Sequence, residues 1–474
     1  MPGTTGGAQR YEHRAAQQPD QAAGPRRHAS CLRTPRANTA RSLSFALGRA
    51  EHGQHVKRRP ENLVARAIWP LKTPTAHGVA VELCCGMGGI GIGLAAAGYE
   101  VTAAYDAWAR AVAVYNHNST KPVAKECDIL SEEGRKAITK DSRRLGEIDL
   151  LAAGPPCKGF SQIRNGHHHR PNPHNQVLLA MPEYVALFRP RLVLIENVPD
   201  LARHRDGETL RDLLRQLEHP GRRGLRYRVE HGVYDAALYG TPQARRRVLI
   251  LCVRHGDGNE RLPPESPDLG PLYAALRHGR GVPDELRPYR EVLSDPADLR
   301  MTTAVQALSD LPVLDPGEAE LPRPYATKAV TAYQRAMRAA APDRLSNTQT
   351  PGVRDETVHR LEMIPPGGCA RDISPEKLNG LSRRYDSAYR RLHPDAPSTA
   401  LSTKYDCVYH FSQNRSLSVR EYARLQGVPD RIEFPESLAC RRYAYEMIGN
   451  SVPPFLVHGV LAQVAAAAQV RRVG

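Results

Sequence analysis

Cys157 is the residue of this sequence whose setting most favours covalent chemistry. It stands in GPPCKGFS (154–161), directly after the apolar run IDLLAA (148–153). A buried cysteine usually serves as a small apolar side chain. Here the preceding run predicts a buried strand, and Pro156 and Lys158 flank the thiol, so we expect an exposed thiol at the end of a strand. Such a thiol can be activated as a nucleophile.

A glutamate follows one further apolar run, and a group of alternating polar and basic residues precedes another. Glu196 opens the tripeptide ENV directly after LVLI, and an acid at such a strand end is desolvated unless it has a partner or a task. In YGTPQARRRVLIL, the residues Gln243, Arg245 and Arg247 alternate and are predicted to point to one face of a strand. A salt bridge for Glu196 and a solvated edge for the arginines are the alternatives.

A glycine-rich turn, ELCCGMGG (82–89), lies between a predicted strand and a predicted helix. Because glycines lack side chains, main-chain N–H groups can approach a ligand there, and an acid at the end of the next strand can bind ribose hydroxyls. Asp106 stands where that acid is needed. The spacing GMGG departs from the G-x-G-x-x-G pattern of pyrophosphate binding. It therefore favours an adenosine-bearing ligand without a pyrophosphate, with Asp128 near the adenine amino group.

The elements that would position these residues begin with a β-α-β unit. Residues 77–108 predict a strand, a glycine turn, a helix and a second strand. Apolar runs at 148–153, 192–195 and 248–253 predict further strands separated by helices. This alternation predicts the α/β class with a doubly wound, mostly parallel sheet. From about 255 to 395 the pattern becomes irregular and rich in proline, which indicates a second domain.

Composition adds a preference for polyanionic partners. The chain has 474 residues with 66 lysines and arginines against 50 acids, a net charge of +16 and a pI near 9.6. A generally basic proteome is the alternative explanation of this charge. Residues 1–75 lack any periodicity and predict a disordered, basic N-terminal extension. The nine cysteines lack C-x-x-C spacing, which indicates reduced thiols, and the absence of a long apolar run predicts a cytoplasmic protein.

Taken in order, the glycine turn, PPC, ENV, Q-x-R-x-R, REYARLQGVPD and GNSVPP closely resemble the motifs of the DNA (cytosine-5-)-methyltransferases. The resemblance spans roughly residues 78 to 470 and implies a Rossmann-like, S-adenosyl-L-methionine-dependent methyltransferase fold. It implies a cofactor-binding and catalytic domain over 76–254, an inserted target recognition domain over 255–395, and a C-terminal part over 396–474 that returns to the catalytic domain. The implied partner is double-stranded DNA, bound by a monomer. Whether a cognate restriction endonuclease acts on the same site stays open.

The resemblance also implies a role for each candidate catalytic residue. Cytosine C5 is a poor nucleophile, and addition of the Cys157 thiolate to C6 would activate C5 toward the methyl group of S-adenosyl-L-methionine. Glu196 would hydrogen-bond the N3 and N4 edge of a flipped-out cytosine, and Arg245 would hold its O2 side. The residues expected to brace this arrangement are Asn197, Gln243 and Arg247.

The cofactor-binding residues that the resemblance implies lie in four short segments. They are Cys84, Gly86, Gly88 and Gly89 in the glycine turn, Asp106 and Ala107 after the second strand, Asp128 and Ile129 after the third, and Asn450 and Val452 in GNSV. The sequence departs from the family at three positions. Glu82 replaces the usual Asp, Cys84 stands where an aromatic residue is common, and Lys158 stands where Gln is common. Because Cys84 and Ala107 lack rings, weaker packing on adenine is expected.

Three alternatives accompany this interpretation. One is a tRNA cytosine-5 methyltransferase with the same motifs, although the long insertion favours DNA. Another is a catalytically inactive DNA-binding relative, against which Cys157, Glu196 and Arg245 stand intact. A dehydrogenase on the same sheet would not explain GMGG, PPC and ENV together. The histidines at 167–169 are expected to face DNA or solvent, and no metal site is predicted.

Overall fold

The computed structural model describes residues 78–156, 173–221, 223–293, 298, 300–378 and 389–473. The strands of these residues are β1 (Gly78–Leu83), β2 (Tyr99–Asp106), β3 (Ala124–Glu126), β4 (Leu150–Ala153), β5 (Leu192–Asn197), β6 (Tyr227–Asp235), β7 (Gln243–Ala244), β8 (Arg246–Arg254), β9 (Arg323–Pro324), β10 (Arg344–Leu345) and β11 (Ser398–Thr399).

The α-helices follow the same chain order. They are α1 (Gly89–Ala96), α2 (Ala109–His117), α3 (Glu132–Leu145), α4 (Pro173–Leu179), α5 (Met181–Phe188), α6 (Glu208–Glu218), α7 (Gly270–His278), α8 (Arg287–Leu293), α9 (Ala304–Leu308), α10 (Ala332–Met337), α11 (Asp355–Met363), α12 (Val419–Gln426), α13 (Arg441–Asn450) and α14 (Pro454–Val473). Within the described ranges, no helix combines the length and apolar character that crossing a membrane requires.

The main sheet has the strand order β3-β2-β1-β4-β5-β8-β6. The first five strands of this order pair in parallel, whereas β8 runs antiparallel to β5 and β6 antiparallel to β8. The predicted doubly wound, mostly parallel sheet is confirmed. The edge strand β6 was not predicted, because its sequence YRVEHGVYD mixes polar and apolar residues and lacks the continuous apolar run of a central strand.

Alternate residues of the central strands face two separate hydrophobic cores. On one face, Leu150 and Leu194 pack with residues of α1, α7 and α14. On the other face, Leu151 and Val193 pack with residues of α3, α5 and α6. Successive side chains of a strand point to opposite faces, so covering both faces with helices requires an apolar residue at every position. This is why β4 and residues 192–195 of β5 are uninterrupted apolar runs.

Much of the predicted recognition domain packs against the rest of the chain. Residues of α7 and α8 join the core on one face of the sheet. Residues of α9 and α10 join a third core together with α12 and α13. Among the described residues, none between 346 and 391 belongs to these cores. The predicted boundaries at 255 and 395 thus enclose two structurally different parts. The described residues of the segment 351–398 stand apart from the shared cores as far as Arg391, whereas Leu392 joins the third core.

A buried ion network fastens α12 to the segment around α9. The Arg424 guanidinium donates to Asp430 Oδ1 at 2.6 Å and to Asp310 Oδ1 at 2.9 Å, and all three side chains are fully buried. Removing one member of such a network would leave a buried charge without a partner, which costs roughly 3–5 kcal/mol. Charged residues of the motif REYARLQGVPD are therefore buried in the protein interior, where they are paired.

Candidate active site

The carboxyl ends of β4 and β5 bring two of the predicted motifs side by side. The two strands are paired in parallel, with Ala153 opposite Ile195. Beyond them, the Asn197 side-chain amide donates to the carbonyl oxygen of Pro155 at 3.3 Å, and its Oδ1 accepts from the main-chain N–H of Val198 at 2.9 Å. Asn197 is buried, so ENV is anchored to PPC by a buried hydrogen bond. Cys157, Lys158 and the histidines at 167–169 lie outside the described residues.

Glu196 is paired with Arg247 at this edge of the sheet. Strands β5 and β8 run antiparallel with Asn197 opposite Val248. The Arg247 Nε lies 2.6 Å from Glu196 Oε1, and the two side chains are 13% and 12% exposed. The salt bridge considered as an alternative for Glu196 is present, but its partner is itself a predicted site residue. The pair therefore presents a carboxylate and a guanidinium together, next to the motif that carries the thiol.

Arg245 lies elsewhere, and its guanidinium contacts main-chain carbonyl oxygens, so this geometry does not support the expected contact with the base. Its guanidinium donates to the main-chain carbonyl oxygens of Leu401 at 3.0 Å and Gly449 at 2.8 Å, and to that of Ser451 at 3.4 Å. Only 4% of Arg245 is exposed. The simple alternation of Q-x-R-x-R predicted one shared face, yet β7 ends before Arg245 and β8 begins after it. The two arginines consequently have different partners.

The glycine turn and the end of β2 form the expected place for a ribose. The Asp106 carboxylate accepts from the main-chain N–H groups of Gly86 and Trp108, both at 2.8 Å. Burial raises the pKa of Asp106, and these two N–H groups offset only part of that effect. Gly86 has φ of 53°, and a Cβ there would meet nothing within 4 Å. Open space therefore lies beside an anchored carboxylate, and these residues fit the adenosine end of S-adenosyl-L-methionine.

The other residues that are expected to bind adenine lie around the same edge of the sheet. Cys84 has a left-handed backbone with φ of 55°, is only partly buried, and packs against the core below the turn. Burial raises the pKa of its thiol, which argues against a reactive thiolate at this position. Ala107 is exposed, Ile129 is buried, and Asp128 caps its own loop by accepting from the N–H of Leu130 at 2.9 Å.

The GNSV turn closes against the glycine turn, as the implied return of the chain requires. A Cβ on Gly89 would lie 2.0 Å from Ser451 Oγ and 2.5 Å from the carbonyl oxygen of Val452. Only glycine permits this approach. Val452 is buried at the contact, whereas Asn450 is exposed at the end of α13. Ser451 and Val452 thus sit next to the start of α1. Residues 449–452 are called here the cofactor turn, because the family resemblance implies that Asn450 and Val452 contact the cofactor.

Sequence reasoning missed a buried pair below the glycine turn. The Tyr115 hydroxyl donates to Glu82 Oε2 at 3.1 Å, and Glu82 Oε1 has no hydrogen-bond partner. Burial raises the pKa of Glu82 to about 8, with the Tyr115 hydroxyl and the Gly91 amide offsetting part of the effect. A Cβ on Gly91 would lie 2.5 Å from the Tyr115 hydroxyl oxygen and 2.8 Å from Glu82 Oε2. Glutamate in place of the family's Asp was the visible signal.

The fold and this site define a class, the S-adenosyl-L-methionine-dependent methyltransferases. The model of the C-5 cytosine-specific DNA methylase family matches residues 79–466, and the chain belongs to that family. It is accordingly an enzyme of the DNA (cytosine-5-)-methyltransferase type whose cofactor is S-adenosyl-L-methionine.

Two relatives are similar to this chain in sequence, and one solved structure is similar to it in fold. The type II methyltransferase M.AgeI of Thalassovita gelatinovora is 28% identical over 435 residues, covering 79% of this chain and 96% of the relative. DNA (cytosine-5)-methyltransferase 4 of Arabidopsis thaliana is 28% identical over 340 residues, covering 65% of this chain but 21% of the relative. A solved prophage-encoded DNA modification methyltransferase from E. coli aligns with a TM-score of 0.60 at 20% identity, covering 83% of this chain and 99% of that one, and supports the fold.

Proposed function

We propose that this protein methylates C5 of a cytosine that is flipped out of a specific double-stranded DNA sequence, through a covalent bond between Cys157 and C6. The observation that carries the proposal is the Glu196–Arg247 pair, anchored beside the PPC motif by Asn197. A carboxyl group and a guanidinium this close together can hydrogen-bond neighbouring positions of one cytosine, the carboxyl group at N3 and the amino group and the guanidinium at O2. The target carbon is inaccessible inside a duplex, which makes extrusion of the base necessary.

Each residue of the pair has a distinct task in this proposal. Glu196 accepts from the exocyclic amino group and holds a proton at N3, which favours thiolate addition at C6. Arg247 holds O2 and balances the negative charge that develops on the ring, the task that the family resemblance implied for Arg245. Cys157 supplies the electron pair that makes C5 nucleophilic, and it leaves by β-elimination when the C5 proton is lost. Bound S-adenosyl-L-methionine supplies the methyl group.

Sequence recognition is proposed to reside in the segment 351–398. All but its last three residues lie inside the predicted recognition domain, and it contributes no described residue before Leu392 to the shared cores. Its last residue, Ser398, lies in β11, which pairs with β7, and β7 ends three residues before Arg247. Base-reading loops must vary while the scaffold stays constant, and a segment outside the cores meets that requirement.

The experiment that tests the function compares Cys157→Ser with Cys440→Ser. Cys440 precedes α13, where serine is also a favourable N-cap residue, so its replacement controls for the loss of a thiol. Unmethylated plasmid DNA is incubated with radiolabelled S-adenosyl-L-methionine, and the products are mapped by bisulfite sequencing. We expect the wild type and Cys440→Ser to methylate the DNA, and Cys157→Ser to fall by at least about 1,000-fold.

A second readout addresses the covalent step itself. DNA in which cytosine is replaced by 5-fluorocytosine cannot lose the group at C5, so the adduct with Cys157 should persist on a denaturing gel. Full activity of Cys157→Ser, or no adduct with wild-type protein that methylates normal DNA, would contradict the mechanism. Transfer of label to tRNA but not to plasmid DNA would contradict the substrate.

A further inference from the structure

A buried polar junction joins the Q-x-R-x-R segment (243–247) to the cofactor turn. It consists of Gln243, Arg245 and Gln426, and all three side chains are at least nine-tenths buried. Gln243 Nε2 donates to Gln426 Oε1 at 2.7 Å, and Gln426 Nε2 donates to the carbonyl oxygen of Ser451 at 2.5 Å. One glutamine side chain thus spans from the Q-x-R-x-R segment to the turn that abuts Gly89.

The same junction also holds Leu401, three residues beyond the segment 351–398. Gln243 Oε1 accepts from the main-chain N–H of Leu401 at 3.0 Å, and Arg245 donates to the carbonyl oxygen of that residue. Arg245 further donates to Gly449 and Ser451. Four chain segments that are distant in sequence therefore meet at three side chains.

These segments lead to the expected binding sites of the two substrates of the proposed reaction. The cofactor turn touches the glycine turn, and β11 leads from the proposed recognition segment to β7. Two residues beyond Arg245, Arg247 holds Glu196. A displacement of the cofactor turn would be transmitted to Leu401 and to β7 through hydrogen bonds whose donors and acceptors are buried and cannot be replaced by water.

We propose that Gln426 is a positioning residue that couples cofactor binding to DNA binding. Its side chain sets the distance between the cofactor turn and β7. Binding of one substrate therefore pre-organises the binding site of the other. The inference rests on the proposed function for its DNA half only. Its cofactor half follows from the contact of the turn with Gly89 and can be tested without DNA.

The chosen substitution is Gln426→Met, which keeps the length and volume of the side chain but removes both hydrogen bonds. The matched control is Gln334→Met. Gln334 is also fully buried and hydrogen-bonded, since its amide donates to Ser309 Oγ at 3.0 Å and its Oε1 accepts from Val330 N–H at 2.8 Å, but it caps α10 away from the junction. Both variants should lose comparable thermal stability, because each loses buried amide hydrogen bonds.

The measurement is the dissociation constant of S-adenosyl-L-homocysteine by calorimetry, with and without saturating unmethylated plasmid DNA. We expect the wild type and Gln334→Met to bind it more tightly when DNA is present. For Gln426→Met we expect about five- to tenfold weaker binding without DNA, corresponding to one lost positioning contact, and a DNA effect reduced to less than about twofold. In turnover, the KM for S-adenosyl-L-methionine should rise more than kcat falls.

The results of these measurements distinguish a failure of the Gln426 proposal from a failure of the proposed function. If wild-type protein does not methylate DNA, the proposed function fails, and the DNA-free affinities still decide whether Gln426 positions the cofactor turn. If Gln426→Met and Gln334→Met bind S-adenosyl-L-homocysteine equally well without DNA, the inference is overturned. It is also overturned if DNA has no effect on the wild-type affinity, or the same effect on both variants.

Discussion

Replacing Glu82 by glutamine should stabilise the protein, and increasingly so as the pH rises. Glu82 is fully buried, its Oε1 lacks a partner, and burial raises the pKa of its carboxyl from 4.5 to about 8. A folded-state pKa above the unfolded value means that the folded protein holds a proton that the unfolded chain releases. The stability contributed by this proton is complete below pH 4.5 and is lost progressively as the pH rises to about 8.

The magnitude follows from the same linkage. Each pH unit above the unfolded pKa costs about 1.4 kcal/mol of unfolding free energy until the folded pKa is reached. At pH 7 the wild type is therefore about 3 kcal/mol less stable than it would be with a neutral group of the same shape, and at pH 5 less than about 1 kcal/mol. The glutamine side chain of Glu82→Gln cannot ionise, so the advantage of this variant should grow by about 2 kcal/mol across this range.

The assay is urea unfolding followed by tryptophan fluorescence from pH 5 to pH 8, with Glu421→Gln as the contrasting variant. Burial alone would raise the pKa of Glu421, but the Arg415 guanidinium lowers it to about 2. A lowered folded-state pKa gives stability that is complete above the unfolded value and is lost only toward pH 2, so Glu421→Gln should destabilise evenly over this range. Parallel pH profiles for wild type and Glu82→Gln would refute the reasoning.

Three further outcomes are expected. Arg247→Lys should lower single-turnover methylation at least about 100-fold with little change in S-adenosyl-L-homocysteine affinity, because it removes the proposed contact with the base. An equal loss of activity and affinity would contradict the assignment. If the Lys158 ammonium favours the thiolate, Lys158→Gln should raise the apparent pKa of Cys157, measured by its alkylation with iodoacetamide. An unchanged pKa together with less salt-sensitive DNA binding would instead leave Lys158 as a contact to a DNA phosphate. Exchanging residues 351–398 for the matching segment of a relative should change the methylated sequence while the protein still folds, and an unchanged sequence would place recognition elsewhere.

The sequence determined the elements and motifs whose causes are local. Continuous apolar runs predicted β4 and β5, because strands covered on both faces need an apolar residue at every position. The end of each run then placed PPC and ENV at one edge of the sheet, where Asn197 joins them. The order of the motifs identified the family, and with it the cofactor, without any knowledge of distances.

Only the tertiary structure decided which chemical task each polar residue can perform. Arg245 and Arg247 have identical side chains two residues apart, and a break between β7 and β8 gives one of them main-chain carbonyls and the other Glu196. The junction at Gln426 and the pair of Glu82 with Tyr115 join residues far apart in the chain. Such contacts depend on how helices pack on the sheet, and neither periodicity nor motif spacing contains that information.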